Sequence, residues 1–527
     1  MLFSFIFSKN ILFFKLNFMR EAIRFTLIVA VIVGLIICTI IWPAWGFSIL
    51  GVVLFGIGIY DIFQKEHTIL RNFPLLGHMR YLLELISPEI HQYFIENDTD
   101  GKPIDRNHRS YIYQRAKLEK ETHPFGTQLN VEAENFKWMQ HSIYPSKVKE
   151  DYPRVVIGGP DCKQVYSASL FNISAMSYGS LSKNAIEALN KGAKAGNFFH
   201  DTGEGGISDY HRNGGDLVWE IGTGYFGCRA DDGNFDPKLF EEKANWPEVK
   251  MIEIKISQGA KPGHGGVLPA SKNNKEIAEI RGVEPHTDVL SPPGHSAFSD
   301  AESLLKFVKQ LRDLSNGKPV GFKLSIGSKD EFLEICEKMV ETGIKPDFIT
   351  VDGAEGGTGA APIDFSNYVG MPWEKALIFV VDVLNGYDLK KDIKIITATK
   401  IITAFDIFKA LSIGADVCNS ARGMMLALGC IQALRCDSNK CPTGVATNNT
   451  RLMNGLVVED KWKRVKNYQE QTLDDFLELF AAAGCTDLSE LNRNLINKKI
   501  NDEIKPYSVF YPSVATGSYL KEELITP

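Results

Sequence analysis

Three cysteines set close together are the first chemistry in this sequence. Cys430, Cys436 and Cys441 follow a C-x5-C-x4-C spacing, and Pro442 closes the run. Thiolates this near one another, ended by a proline, suit an iron–sulfur cluster held in a loop. Zinc would prefer a C-x2-C pair with a second pair elsewhere, and the sequence contains neither. Three ligands favour a three-iron cluster, and a fourth from Cys418 or Cys228 would allow four irons. Cys38, Cys162, Cys336 and Cys485 stand alone and read as structural. Glycine clusters come next, at Gly203-Glu204-Gly205-Gly206, Gly263-His264-Gly265-Gly266 and Gly353-Ala354-Glu355-Gly356-Gly357-Thr358-Gly359. Such runs let backbone approach a flat ligand and aim N–H groups at phosphate or flavin edges. Lys255 and Lys323 lie near the ends of apolar runs, where an uncompensated ammonium is costly. Either could stabilise a reduced flavin or fix a carboxylate substrate, or simply face outward at a strand end.

The elements that must position these residues have a regular period. From about residue 171, short β-rich runs alternate with helix-length amphipathic segments, as in parallel βα units. Strands are expected at 171–175, 198–202, 251–256, 288–291, 320–325, 348–352, 393–398 and 416–419. Helices are expected at 183–195, 301–316, 330–342, 374–383 and 404–412. Eight units over this length predict a (β/α)8 TIM barrel, with the glycine clusters at the strand C-terminal ends where such barrels carry their sites. An open doubly wound sheet is the alternative. Gly222 to Gly227 matches G-x-G-x-x-G, but the following Cys228-Arg229-Ala230-Asp231-Asp232-Gly233 is turn-like, so a dinucleotide fold is not expected.

Composition bounds the rest. The 527 residues carry 58 Lys+Arg against 64 Asp+Glu, a net charge of −6, which argues against nucleic-acid binding. Nine scattered cysteines exclude a disulfide scaffold, and a mean hydropathy of −0.10 excludes a polytopic membrane protein. The N-terminus is different. Residues 25–42 are uncharged and apolar, Trp42-Pro43-Ala44-Trp45-Gly46 forms a break, and a second apolar run covers 47–60. Together they predict a transmembrane helical hairpin over 25–62. Lys9, Lys15, Arg20 and Arg24 before it, and Lys65, Arg71 and Arg80 after it, place both ends in the cytoplasm. The expected protein is membrane-anchored with a cytoplasmic catalytic body. Residues 1–24 form an extension in which Met19 is the expected start. Residues 63–150 form an adaptor with short helices near 75–85 and 109–121. The barrel with its cysteine loop spans 151–450, and 451–527 is a short helical tail.

Several motifs occur in the order found in glutamate synthases. They are Ser174-Ala175-Met176-Ser177-Tyr178-Gly179-Ser180-Leu181-Ser182, Gly203 to Gly206, Lys255-Ile256-Ser257-Gln258-Gly259-Ala260-Lys261-Pro262-Gly263, Ser291-Pro292-Pro293, Gly356 to Gly359 and the cysteine triplet. Over roughly 150–450 the chain resembles their FMN-binding synthase domain with its three-iron cluster. With its hairpin and adaptor it is similar to stand-alone, membrane-anchored FMN-binding glutamate synthase family proteins. The resemblance implies that Ser174, Ala175, Met176 and Ser177 line FMN, that Lys323 contacts the isoalloxazine, and that Gly356, Gly357, Thr358 and Gly359 pass close to the ring. It implies a 2-oxoglutarate pocket of Glu204, Lys255, Gln258 and Lys261, and a 3Fe-4S cluster on Cys430, Cys436 and Cys441. The FMN phosphate is expected at the loops after strands seven and eight, around Lys400, Arg422 and Gly423.

Three positions depart from the family's pattern: Thr399 where glycine is expected, Glu220 where relatives tend to carry glutamine, and His264 in place of a glutamate. The resemblance includes neither an amidotransferase domain, a large β-helix nor an NADPH module. The implied activity is therefore reduction of 2-iminoglutarate, formed from 2-oxoglutarate and ammonia, to L-glutamate. Electrons would come from a ferredoxin-like or other donor, and ammonia from solution or a separate amidotransferase subunit. The alternatives are a membrane-associated flavin dehydrogenase for another small carboxylate and a non-catalytic electron-transfer module.

Overall fold

The computed structural model describes residues 45–119 and 122–522, together with Val33, Gly34 and Ile37. It divides into two units, one ending at Glu96 and one beginning at Asn97.

In the second unit eight parallel strands close a barrel. They are β1 (Phe171–Ile173), β2 (His200–Asp201), β3 (Leu217–Ile221), β4 (Val249–Lys255), β5 (Val320–Leu324), β6 (Phe348–Asp352), β7 (Lys394–Ala398) and β8 (Val417–Ser420). Each pairs with the next in sequence, and β8 returns to β1. The outer helices include α1 (Lys183–Gly196), α2 (Pro237–Ala244), α3 (Ala301–Leu314), α4 (Lys329–Thr342), α5 (Trp373–Gly386), α6 (Ala404–Ile413), α7 (Arg422–Leu428) and α8 (Val458–Ala482). Local chemistry sets their ends. The Ser182 side chain accepts from Ala185 N–H to start α1, and capping boxes at Asp300 and Thr403 start α3 and α6.

Alternation along each strand sorts the core. Trp219, Ile252, Ile254, Phe322 and Ile349 belong to the large apolar cluster shared with the helices. Val218, Met251, Phe348, Ile396 and Val417 form a second cluster with Ile157, Tyr166 and Ala168. Those last residues come from an antiparallel hairpin, Arg154–Ile157 with Tyr166–Ser169, which plugs the barrel. Two residues further along the strands the inward positions turn polar, to Glu220, Glu253 and Thr350.

Three expectations need correction. Residues 288–291 are not a barrel strand: Val289–Leu290 pairs antiparallel with Val267–Leu268 in the long connection after β4. Leu290 is solvent-exposed there, so the segment lacks the two-sided burial a barrel strand needs. The unassigned Leu217–Ile221 takes the third place, buried at every position. Residues 451–527 are not helical throughout either, since two of their segments are strands. The 25-residue α8 packs along α1, where Gly192 permits close contact because a Cβ would lie 2.8 Å from Val465 Cγ1. Beyond it Ile496–Ile500 pairs with Glu503–Pro506 and with Lys137–Met139 from the expected adaptor.

In the first unit the expected hairpin is not borne out. Among the described residues no helix is long and apolar enough to cross a membrane. Most of the first arm, 25–42, lies outside the described residues, as do Met19 and Cys38. The second arm is the helix Trp45–Phe63, whose last turn holds a fully buried Asp61. That carboxylate accepts from Leu75 N–H and lies 3.0 Å from His78 Nε2 at the start of the helix Leu76–Ile90, so the apolar run ends in a polar anchor.

Candidate active site

A cavity of about 310 Å³ opens at the C-terminal ends of the strands. Ser174, Ala175, Met176 and Ser177 leave β1 along one wall, and Glu204 enters from the turn after β2. That turn is tight: Gly203 has φ +65°, and a Cβ there would lie 2.6 Å from Ser177 N. Lys255 and Gln258 come from the end of β4, Lys323 from β5, and Gly356, Gly357, Thr358 and Gly359 from the loop after β6. Lys400, Arg422 and Gly423 follow β7 and β8. The expected site residues therefore converge on one wall system, with three exceptions. Lys261 is buried off the cavity wall and donates from Nζ to Gly265 O at 2.7 Å, and of the three cysteines Cys436 lines the cavity while Cys430 and Cys441 do not.

The two strand lysines face inward and are held differently. Lys255 Nζ lies 2.8 Å from Glu204 Oε2. Burial works to raise the Glu204 pKa, but the Lys255 ammonium outweighs it, with Lys261 and Arg281 contributing, and holds the carboxyl down at about 2. Gly222 and Gly266 cradle this carboxylate; a Cβ on either would come within 2.7 Å of Glu204 atoms. Lys323 instead bonds the Glu220 carboxylate below the cavity floor.

Asp352, at the end of β6, accepts from Gly259 N–H at 2.8 Å and from Thr399 Oγ1 at 2.5 Å. Thr399 in turn accepts from Gly353 N–H at 2.8 Å. Its φ is +106°, in the region that favours glycine, which accounts for the expectation of glycine there. The two side-chain bonds stand in compensation. Arg422 reaches across to donate to Glu355 O at 2.6 Å, and burial lowers its pKa. With Lys400 it gives this side of the cavity two cations suited to a phosphate.

The cysteine loop meets the glycine loop directly. A Cβ on Gly359 would lie 3.0 Å from Cys436 Cβ. Lys272, a residue the sequence reading missed, is buried beside them and donates to Ser180 O at 2.7 Å and Cys436 O at 2.8 Å. Cys441 has a lowered pKa: burial opposes this, but Thr443 Oγ1 and the N–H groups of Ala446, Thr443 and Val445 overcome it. Gln432 N–H points at Cys430 Sγ from 3.4 Å. Burial pushes the Cys430 thiol up to about 12 and raises that of Cys436 as well, so Cys441 is the one thiol of the three held down. Among the described residues the three sulfurs are not gathered within 4.8 Å of one another. Cys228 and Cys418 are instead fully buried in the barrel core, where burial pushes both thiols up. His264 turns its ring onto Phe365 and hydrogen bonds Gly265 O.

Residues 113–486 match the conserved region in glutamate synthase. The chain belongs to the glutamate synthase family. It is thereby an oxidoreductase of the class acting on CH–NH2 donors. It is 37% identical over 499 residues to the glutamate synthase large subunit-like protein YerD of Bacillus subtilis, covering 87% of this chain and 92% of that one. It is 33% identical to the archaeal-type glutamate synthase [NADPH] of Thermotoga neapolitana and to the archaeal glutamate synthase [NADPH] of Methanocaldococcus jannaschii, in each case over 61% of this chain. The match spans 60% of the length of each of those two relatives.

Proposed function

We propose that this protein is an FMN- and iron–sulfur-dependent enzyme of glutamate synthase type that reduces 2-iminoglutarate, formed from 2-oxoglutarate and ammonia, to L-glutamate. The observation that carries the reading is that a single cavity is lined by the Glu204–Lys255 pair, the glycine loop after β6, the Lys400 and Arg422 cations and Cys436. FMN would supply hydride transfer, and a 3Fe-4S cluster one-electron exchange with a separate donor such as a ferredoxin.

The chain's own residues divide the work. Lys400 and Arg422 would hold the flavin phosphate, and Ser174 to Ser177 with Gly356 to Gly359 would pack the ring through backbone. Lys323 would face its electron-rich edge as a fixed positive charge. Lys255 and Gln258 would orient the substrate's carboxylates. Glu204 would keep the Lys255 ammonium aimed. Lys261, folded onto Gly265 O, would shape the pocket from behind rather than touch substrate. Cys430, Cys436 and Cys441 would bind the cluster, with Lys272 offsetting its charge. Ammonia would arrive from solution or from a separate amidotransferase subunit.

The test is anaerobic purification, with absorption and EPR spectra and iron analysis, followed by oxidation of the reduced protein with candidate substrates. Reoxidation by 2-oxoglutarate only when ammonia is present is the expected result. Reoxidation by another small carboxylate would redirect the reading to a different dehydrogenase. A preparation without flavin would overturn it.

A further inference from the structure

At and below the cavity floor the barrel holds three acidic side chains that the proposed reaction leaves unused. Asp201, Glu220 and Glu253 each bring a carboxylate oxygen within 4.8 Å of the others, and each side chain belongs to a residue only 1% exposed. The register sets this up, since Glu220 pairs with Glu253 across β3 and β4. Lys323 is the cation among them, bonded to Glu220 Oε2 and 3.3 Å from Glu253 Oε2. Thr350 Oγ1 donates to Glu253 Oε1 at 2.5 Å, and Gly203 N–H donates to Asp201 Oδ1 at 3.0 Å. Glu253 Oε2, though buried, accepts no hydrogen bond. The other charged groups facing the cluster are Asp352 from β6 and the Lys255–Glu204 pair from the mouth.

The charge count does not close with every group ionised. Three carboxylates around one ammonium leave two negative charges in a space shut off from water, and each uncompensated buried ion costs several kcal/mol. Such clusters relieve the excess by holding protons. Of the three acids, Glu220 is the one on the cavity wall, sharing Lys323 with whatever occupies the cavity.

We propose that this cluster is a proton store for the reaction face: Asp201 holds one proton permanently, while Glu220 exchanges a second. The exchange rests on the flavin reading above. When two electrons reach a ligand seated over Lys323, the ligand's negative charge competes for the ammonium. Glu220 then accepts one proton from a solvent acid at the cavity. An O–H bond forms on its carboxylate as the donor's bond to that hydrogen breaks and leaves the conjugate base in solution, and Glu220 returns that proton when the electrons leave. Two opposed shifts agree with this division. Burial and the charges of Glu253 and Glu220 keep Asp201 well above the usual carboxylate range, whereas burial raises Glu220 only to about 7, against the pull of Lys323 and Lys255. Glu220 is a positioning and proton-holding residue, one step removed from substrate.

Two measurements test the proposal. Anaerobic reduction of the flavin-loaded protein in weakly buffered indicator near neutral pH should consume up to one proton more per flavin in the wild type than in E220Q. Independently of flavin, infrared spectra of the protein should show a carboxylic-acid band that fades as pH rises through about 7. E220Q should lack this band, and D201N should keep it with its midpoint in place, because a protonated Asp201 is already neutral. Equal proton uptake in wild type and E220Q, an unchanged band in E220Q, or a downward-shifted midpoint in D201N would each overturn the proposal. A wild-type preparation that shows the titrating band but binds no flavin would support the store and sink the flavin reading instead.

Discussion

Replacing Lys255 by methionine should destabilise the barrel mainly by stranding Glu204. Its carboxyl is held at about 2 instead of its ordinary 4.5. At roughly 1.4 kcal/mol per pH unit that difference amounts to ~3 kcal/mol at neutral pH, within the range for breaking a buried pair. The sign follows from linkage. A carboxyl whose folded pKa is depressed stabilises the fold fully above pH 4.5 and loses that contribution as pH falls toward 2. The gap between wild type and K255M should therefore be ~3 kcal/mol at neutral pH and shrink to ~1.4 kcal/mol near pH 3. Chemical denaturation at the two pH values measures it. The E204Q/K255M double variant should be more stable than K255M at neutral pH, since no bare charge remains buried. A K255M loss that is the same at both pH values, or one that E204Q fails to relieve, would refute the ion-pair origin of the effect.

Other outcomes follow from the same geometry. At Thr399 stability should fall in the order wild type, T399G, T399A: both variants lose the bonds to Asp352 and Gly353, but glycine escapes the cost of φ +106°, about 1 kcal/mol or more, and an inverted order in thermal unfolding would show the backbone is not strained. D347N should cost ~3 kcal/mol or more, because Asp347 takes both Arg312 Nε at 3.1 Å and Nη2 at 3.0 Å together with the N–H groups of Gly159 and Val320, and it leaves a buried guanidinium with a neutral partner. A melting temperature within a degree or two of wild type would contradict that. Burial keeps His211 at about 3 and His295 at about 4, and His200 well below its ordinary 6.5, so all three stay neutral in the folded protein. Their stabilisation is present above pH 6.5 and lost on acidification, for His211 and His295 by ~2 kcal/mol each at pH 5. Denaturation midpoints at pH 7 and pH 5 should accordingly converge in H211N relative to wild type.

The sequence made the barrel legible where apolar runs were long and cleanly bounded, as at β5, β6 and β7. It misled where an inward-facing acid interrupted the pattern. Glu220 sits in the middle of Leu217–Ile221, and the glycines that follow draw attention to a dinucleotide-like spacing instead of to a strand. The vacancy was filled by 288–291, whose Val289 and Leu290 have strand propensity but only one buried side. Candidate site residues were legible because glycine and lysine fall at strand ends. Asp201, Glu253 and Lys272 were not: each is a single charged residue in an ordinary context, and its importance arises from pairing register or from a loop distant in sequence. The strand Ile496–Ile500 was not legible, because its partner Lys137–Met139 lies more than three hundred residues earlier in the chain.

The strand lysines show how register turns an ambiguous residue into a site. Taken singly, Lys255 and Lys323 could have pointed either way from their strands. The β4–β5 register places them directly side by side, and both point inward. Two neighbouring ammonium groups in a mostly enclosed space would repel strongly unless separately neutralised. The barrel does this along its axis, with Glu204 engaging Lys255 from the mouth and Glu220 and Glu253 engaging Lys323 from below. Each lysine therefore has its own bonded counter-charge, while Lys255 and Glu204 act on Glu220 only through space, with opposite signs. Altering Lys255 or Glu204 should act chiefly on a ligand in the mouth, and altering Lys323 or Glu220 chiefly on the flavin proposed to bind above the core. A variant of Glu220 that changed substrate affinity as strongly as K255M, with the flavin spectrum unaltered, would contradict that separation.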